Sequence, residues 1–272
     1  MSRIKGRFDS LAAAGRKALI PYITAGDPSL EVTLGLMHEM AAAGADVIEL
    51  GVPFSDPQAD GPTIQRASER ALARGTSLAR ILETVTRFRT RDATTPVVLM
   101  GYVNPVEAMG YDQFATRAAA AGVDGVLLVD LPPEESRSFV DKLLSAGLDP
   151  IYLLSPTTTD ARIGEIAKLA HGYVYYVSLT GVTGAKHLQV GDVSSRMALL
   201  RKHLTVPIGV GFGIRDAASA SAIAQVADAV VIGSRIVEEI EGSIPGQEAA
   251  NVGVFLREMR KAIDTVTVAG RA

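Results

Sequence analysis

The sequence predicts a closed (β/α)8 TIM barrel, built as a single domain over residues 1–272 with an extra N-terminal helix. Three observations carry that expectation. Eight short apolar runs recur along the 272 residues, most followed by an Ala- and Leu-rich stretch with helical periodicity. The runs are apolar at nearly every residue, as strands covered on both faces require. Strand–helix alternation implies parallel strands with right-handed crossovers, and eight such units close a barrel. No G-x-G-x-x-G opens a helix after the first run, which argues against an open doubly wound sheet.

Taken in order, SRIKGRFDSLAAAGR (2–16) reads as the extra helix before the first strand, ALIPYITAG (18–26). SLEVTLGLMHEMAAAG (29–44) is the first crossover helix and DVIELGVP (46–53) the second strand. Residues 62–90 hold two helices, PTIQRASERALARG and SLARILETVTRFR. Strand three is PVVLMGYVN (96–104), followed by the helical YDQFATRAAAAG (111–122). The remaining strands are GVLLVDLP (125–132), DPIYLLSP (149–156), GYVYYVSLT (172–180), PIGVGFG (207–213) and ADAVVIGS (227–234). EAANVGVFLREMRKAID (248–264) reads as a closing helix.

Composition narrows the function classes. At 47% apolar residues the chain has enough material for one large core. Its formal charge of -3 gives no basic bias toward nucleic acid or anionic membrane. The absence of cysteine excludes disulfides, thiolate metal sites and a cysteine nucleophile. The first residues hold no long apolar segment, and no stretch approaches the ~18 apolar residues of a membrane span. The expectation is a soluble cytoplasmic protein.

Strand two contains an acid that a buried strand should not hold. Period-two alternation sets Ile48, Leu50 and Val52 toward the surrounding helices and Val47, Glu49 and Gly51 toward the barrel interior. Glu49 therefore points inward near the C-terminal end of its strand, where barrel active sites lie. A lone buried carboxylate resists ionisation, which suits a proton-transfer group. The other reading, an ion pair with a buried cation, finds no Lys or Arg on a neighbouring strand. Asp60 follows in PFSDPQADG (53–61) and has two readings, an N-cap for the helix starting near residue 62 or a second catalytic acid. Asp56 suits turn geometry or a partner contact.

The last three loops, TGVTGAKHLQVGD (180–192), GVGFGIRD (209–216) and IGSR (232–235), are rich in glycine. Glycines let backbone N–H groups approach an anion, and a helix start after each strand adds its dipole. Loops after strands seven and eight are the usual phosphate site of a barrel. No lysine lies within a strand, so a Schiff-base aldolase is disfavoured. Of the four histidines only His187 lies at the active end, so a histidine metal site is not expected.

ELGVPFSDPQADGP closely resembles the signature of the tryptophan synthase α-chain family, and PYITAGDP, GYVNP, DLPPEES, SLTGVTGA, GFGI and IGS follow in the family's order. The resemblance implies cleavage of indole-3-glycerol phosphate to indole and glyceraldehyde 3-phosphate, without metal or organic cofactor. It implies Glu49 as the acid/base on the indole ring carbon and the glycerol hydroxyl. It implies Asp60 as the carboxylate that holds the indole N–H and stabilises the indolenine. Tyr175 matches a tyrosine near the glycerol portion, Phe212 the aromatic beside the ring, and Thr183 a residue that positions Asp60. Gly184, Gly213, Gly233 and Ser234 match the phosphate cradle. Tyr22 stands where the family often has Phe, and Leu179 where Arg is often found. Met100, Leu127 and Leu153 are read either as pocket walls or as barrel core.

The resemblance also implies an αββα complex with a tryptophan synthase β chain that carries pyridoxal phosphate and receives indole through a tunnel. The loop 53–61, Asn104 and Pro105 would face that partner. The rival expectations are another phosphate-binding barrel, such as a phosphoribosylanthranilate isomerase or indole-glycerol-phosphate synthase, and a non-catalytic activator of a partner enzyme.

Overall fold

Every apolar run forms a strand. In a computed structural model, residues 2–178, 190–211 and 213–266 are described. The strands are β1 (Ala18–Thr24), β2 (Ile48–Gly51), β3 (Val97–Gly101), β4 (Gly125–Leu128), β5 (Asp149–Leu154), β6 (Val174–Val177), β7 (Ile208–Gly211) and β8 (Ala229–Ile232). They pair in parallel and in chain order around a closed barrel. Ala18↔Ala229 through Pro21↔Ile232 make the closing seam. Each strand is shorter than its apolar run, and β2, β3, β6, β7 and β8 also begin one or two residues after their runs do.

The helices among the described residues begin with α1 (Arg3–Ala13), α2 (Leu30–Ala42), α3 (Pro62–Ala73) and α4 (Leu78–Arg89). They continue with α5 (Val103–Met109), α6 (Tyr111–Ala121), α7 (Pro133–Ser145) and α8 (Asp160–Leu169). The series ends with α9 (Val190–Leu200), α10 (Ala217–Ala224), α11 (Ser234–Gly242) and α12 (Glu248–Asp264). Both helices expected between strands two and three are present, as are the N-terminal and closing helices. One element departs from the expectation. Residues 103–104 open α5 instead of ending β3, because Val103 donates its N–H to Asp130 Oδ1 at 2.8 Å and turns the chain out of the sheet.

Alternation along each strand builds two apolar layers. Ile48, Leu50, Leu99 and Val126 face the helices in the larger core. Val47, Val98, Leu127, Ile151, Tyr173 and Val231 fill the interior. Ile4, Phe8 and Leu11 of α1 join that interior set, so the extra helix stops the N-terminal mouth of the barrel. The Phe8 and Tyr173 rings lie 5.9 Å apart between centroids. Water is thereby kept from the interior on the side opposite the site.

A repeated ionic device fixes the register at that closed end. Asp46, Asp124 and Asp228 each stand just before an even-numbered strand and accept the first N–H groups of the preceding one. Asp46 Oδ2 takes Leu19 N at 2.8 Å, Asp124 Oδ2 takes Val97 N at 2.8 Å, and Asp228 Oδ2 takes Ile208 N at 3.1 Å. Each acid also meets arginine: Arg260 at 2.8 Å from Asp46, Arg89 at 2.7 Å and Arg3 at 2.8 Å from Asp124, and Arg201 at 3.1 Å from Asp228. Breaking a buried pair from one side leaves the other charge uncompensated. Asp124→Ala should therefore cost about 3–5 kcal/mol, read as a lower urea midpoint at unchanged slope. A loss below about 1 kcal/mol, the worth of an exposed pair, would refute this role.

Candidate active site

Glu49 sits on β2 with Tyr22 of β1 and Val98 of β3 beside it in register, and it is fully buried. Its partner is a phenol and not a cation. Tyr173, immediately before β6, donates its hydroxyl to Glu49 Oε1 at 2.5 Å. Glu49 Oε2 is buried with no hydrogen-bond partner among the described residues. Burial lifts the Glu49 pKa to about 7, and the Tyr173 hydrogen bond works against that rise. Sequence motifs did not single out Tyr173. The signal was nonetheless present, since alternation along GYVYYVSLT sets Tyr173 on the same inward face as Tyr175, one layer deeper.

Asp60 is half-buried at the mouth. Tyr102, at the end of β3, donates its hydroxyl to Asp60 Oδ2 at 3.0 Å and accepts Ala59 N at 3.0 Å. Phe54 stacks on the Tyr102 ring at 5.1 Å. Burial pushes the Asp60 carboxyl up and the Tyr102 bond opposes it. Of the two readings of Asp60, the N-cap is overturned. The N-cap of α3 is Gly61, with no side-chain cap, and Pro62 at the first helical position needs no N–H partner. Asp56 accepts from Ser55 Oγ at 2.6 Å on the exposed face of the loop.

Both acids open onto one cavity of about 310 Å³, within the usual range for small-molecule sites. Tyr22, Met100, Leu153 and Tyr175 form its walls. Leu127 does not. It is fully buried in the interior layer, because its strand position lies opposite Ile151 and below the mouth. Tyr22 and Tyr175 each occupy space that a neighbouring strand leaves free. A Cβ on Gly51 would collide with the Tyr22 ring and hydroxyl, and one on Gly211 with those of Tyr175. A larger depression of about 820 Å³ lies against α1, lined by Phe8, Leu11 and Arg201. It faces the stopped end of the barrel, away from both acids, so the smaller cavity is the site.

Gly213, Gly233 and Ser234 close the far side of the cavity. Gly213 has φ 76°, a conformation that favours glycine. α11 starts at Ser234 beside the cavity with no side-chain cap, and its Ile236 and Val237 N–H groups donate to Gly233 O at 2.8 and 3.1 Å. α10 differs from the expectation of an open helix start after strand seven. Asp216 caps it, accepting Ser219 N at 2.8 Å in a capping box. Phe212, Thr183, Gly184, Leu179 and His187 lie outside the described residues.

A barrel with an acid held near neutrality, a second acid beside it and a glycine-built anion end is equipped for proton-transfer chemistry on a phosphorylated small molecule. The family model "Tryptophan synthase alpha chain" matches residues 8–264. A tryptophan synthase alpha chain from Burkholderia mallei (strain NCTC 10229) is 60% identical over 264 residues, 97% of each chain. Tryptophan synthase subunit alpha from Legionella pneumophila str. Paris superposes with a TM-score of 0.92 at 44% identity, covering 98% of this chain and 100% of that one. A chain of the tryptophan synthase complex from Pyrococcus furiosus superposes at 0.80 with 35% identity, covering 90% and 98%. The chain belongs to the tryptophan synthase alpha chain family. It is a carbon–carbon lyase of tryptophan biosynthesis, cleaving indole-3-glycerol phosphate to indole and glyceraldehyde 3-phosphate.

The buried acid has a stability signature. Its folded pKa of about 7 lies above the ordinary 4.5, so its stabilising contribution is full below pH 4.5 and is lost as pH rises through 7. Glu49→Gln removes that loss. The variant should exceed the parent in stability at pH 8.5 by on the order of 3 kcal/mol, with the gap shrinking toward pH 5. Urea unfolding across that range checks it, and a gap independent of pH would contradict it.

Proposed function

We propose that Glu49 is the general acid and base of the cleavage and Asp60 the group that stabilises positive charge on the indole ring. Glu49 in its acid form donates a proton to the ring carbon that bears the glycerol chain. The ring becomes an indolenine cation, and the Asp60 carboxylate holds its N–H. Glu49, now a carboxylate, removes the proton of the adjacent side-chain hydroxyl. The carbon–carbon bond breaks, its electrons restore the aromatic ring, and the aldehyde leaves with Glu49 protonated again. One residue serves both steps because its pKa lies near the working pH. The single observation that carries this reading is the Glu49 carboxylate in the cavity, buried and tied to Tyr173 through one oxygen only.

The remaining assignments rest on this geometry and the resemblance. Residues 1–272 act as one catalytic domain in the cytoplasm. Tyr22, Met100 and Tyr175 contact the aromatic and glycerol portions, with Phe212 and Thr183 completing that end. Gly184, Gly213, Gly233 and Ser234 hold the phosphate. The chain itself carries no cofactor. Its partner is a tryptophan synthase β chain with pyridoxal phosphate, in an α2β2 assembly through which indole passes. The loop 53–61, Asn104 and Pro105 face that partner. Tyr102 supports a coupling between docking and catalysis, since it ties Ala59 and Asp60 to the chain just before Asn104.

The test is indole release from indole-3-glycerol phosphate, alone and with a matched β chain. Release should be slow alone and faster with the partner. Glu49→Gln should reduce it by roughly 10³-fold or more while substrate still binds, and Asp60→Asn by roughly 10²-fold. A Glu49→Gln protein that keeps its effect on the β chain and shows no parental cleavage to lose would instead mark a non-catalytic activator. Preference for an amino-sugar phosphate would mark the isomerase alternative.

A further inference from the structure

We propose that Arg215 and Arg235 supply the cationic half of the phosphate site, each exchanging a glutamate of α11 for the phosphate group when substrate enters. The inference rests on the reading above that the cavity takes a phosphate ester. Each arginine stands two residues beyond a cradle glycine, in Gly213-Ile214-Arg215 and Gly233-Ser234-Arg235. Both residues line the cavity, and among the described residues they are the two cationic residues of its lining. The same cavity holds the carboxyl groups of Glu49 and Asp60. A phosphate dianion entering beside two acids needs positive charge at its own end.

The β7 side shows why backbone alone is insufficient there. The N-terminus of α10 already serves Asp216, so that loop offers the anion no open helix start. Arg215 is the cation next to it. On the β8 side α11 starts beside the same cavity without a side-chain cap, and Arg235 lies in its first turn.

Both guanidinium groups are engaged in the free protein. Arg215 meets Glu238, with Nη2 to Oε2 at 2.5 Å and Nη1 to Oε1 at 3.3 Å. Arg235 meets Glu239 at 2.6 Å and lies 5.4 Å from the Phe255 ring centroid. The Arg215 side chain is 59% exposed and the Arg235 side chain 30%. The more open Arg215 pair contributes little while the Arg235 pair is part-buried, and a phosphate dianion is a stronger, bidentate acceptor for an arginine fork than a screened carboxylate. Exchange of partner is therefore favourable. Glu238 and Glu239 hold the arginines beside the cradle and compete with the ligand for them.

That competition gives the test opposite signs. Calorimetric titration of the full chain with glycerol 3-phosphate, and separately with indole, is compared for the parent, Arg215→Ala, Arg235→Ala, Glu238→Gln and Glu239→Gln at fixed ionic strength. Each arginine variant should bind glycerol 3-phosphate roughly tenfold more weakly, as expected for a lost charge-assisted contact. Each glutamine variant should bind it a few-fold more tightly, and indole binding should stay unchanged throughout. Arginine variants within twofold of a parent that binds glycerol 3-phosphate would overturn the inference alone. So would equal weakening by arginine and glutamate variants, the mark of a structural ion pair. A parent that binds indole and no glycerol 3-phosphate would overturn the phosphate-site reading, and this inference with it.

Discussion

The hydrogen bond from Tyr173 to Glu49 lies where the demands of folding and chemistry meet. A carboxyl group buried among apolar side chains favours its protonated form, and the more completely water is excluded the stronger that preference becomes. Here the exclusion is produced from several directions. Val47, Val98 and Ile151 surround the interior position, α1 stops the barrel from below, and Phe8 packs against the same Tyr173 that holds the acid. The phenol pulls the pKa back down without introducing a charge. A lysine or arginine in its place would favour the carboxylate strongly and remove the acid form that the proposed first proton transfer uses.

Asp60 shows the complementary arrangement. It lies on a loop at the rim, half-buried, and its partner Tyr102 belongs to the end of a different strand. Two carboxyl groups of similar intrinsic acidity thus meet different surroundings within one cavity. One is deep and desolvated on a strand; the other stands at the rim, partly open to water. Such a separation of environments would let the two acids divide the proposed roles of proton carrier and charge stabiliser. The glycine-built end of the cavity adds a third environment, where Arg215 and Arg235 each pair with a glutamate of α11.

Much of this was legible in the sequence because barrel strands obey simple periodicities. Eight apolar runs marked eight strands, and alternation alone turned Glu49 inward and Leu50 outward. Strand ends were harder to place. GYVNP reads as strand continuation, yet an acid from the next loop, Asp130, captures Val103 N and starts α5. Asp60 was ambiguous because Asp before Gly-Pro has the local chemistry of a cap; the cap reading falls because α3 is capped at Gly61, and Asp60 instead accepts from Tyr102, 42 residues away in sequence. Tyr173 escaped for the same reason, since its partner is 124 residues distant. Leu127 could not be assigned to wall or core from its strand alone, because depth inside a barrel depends on the stagger of all its strands. The asparate clamps at the closed end likewise become visible only when paired strands are seen together.

The central claim is that desolvation sets the acidity of Glu49 while Tyr173 moderates it. Infrared difference titration of the carboxyl band, parent minus Glu49→Gln, measures this directly in the free protein. The expected midpoint is about 7, moving upward in Tyr173→Phe. A midpoint near the ordinary glutamate value of 4.5, unmoved by loss of the phenol, would contradict the account.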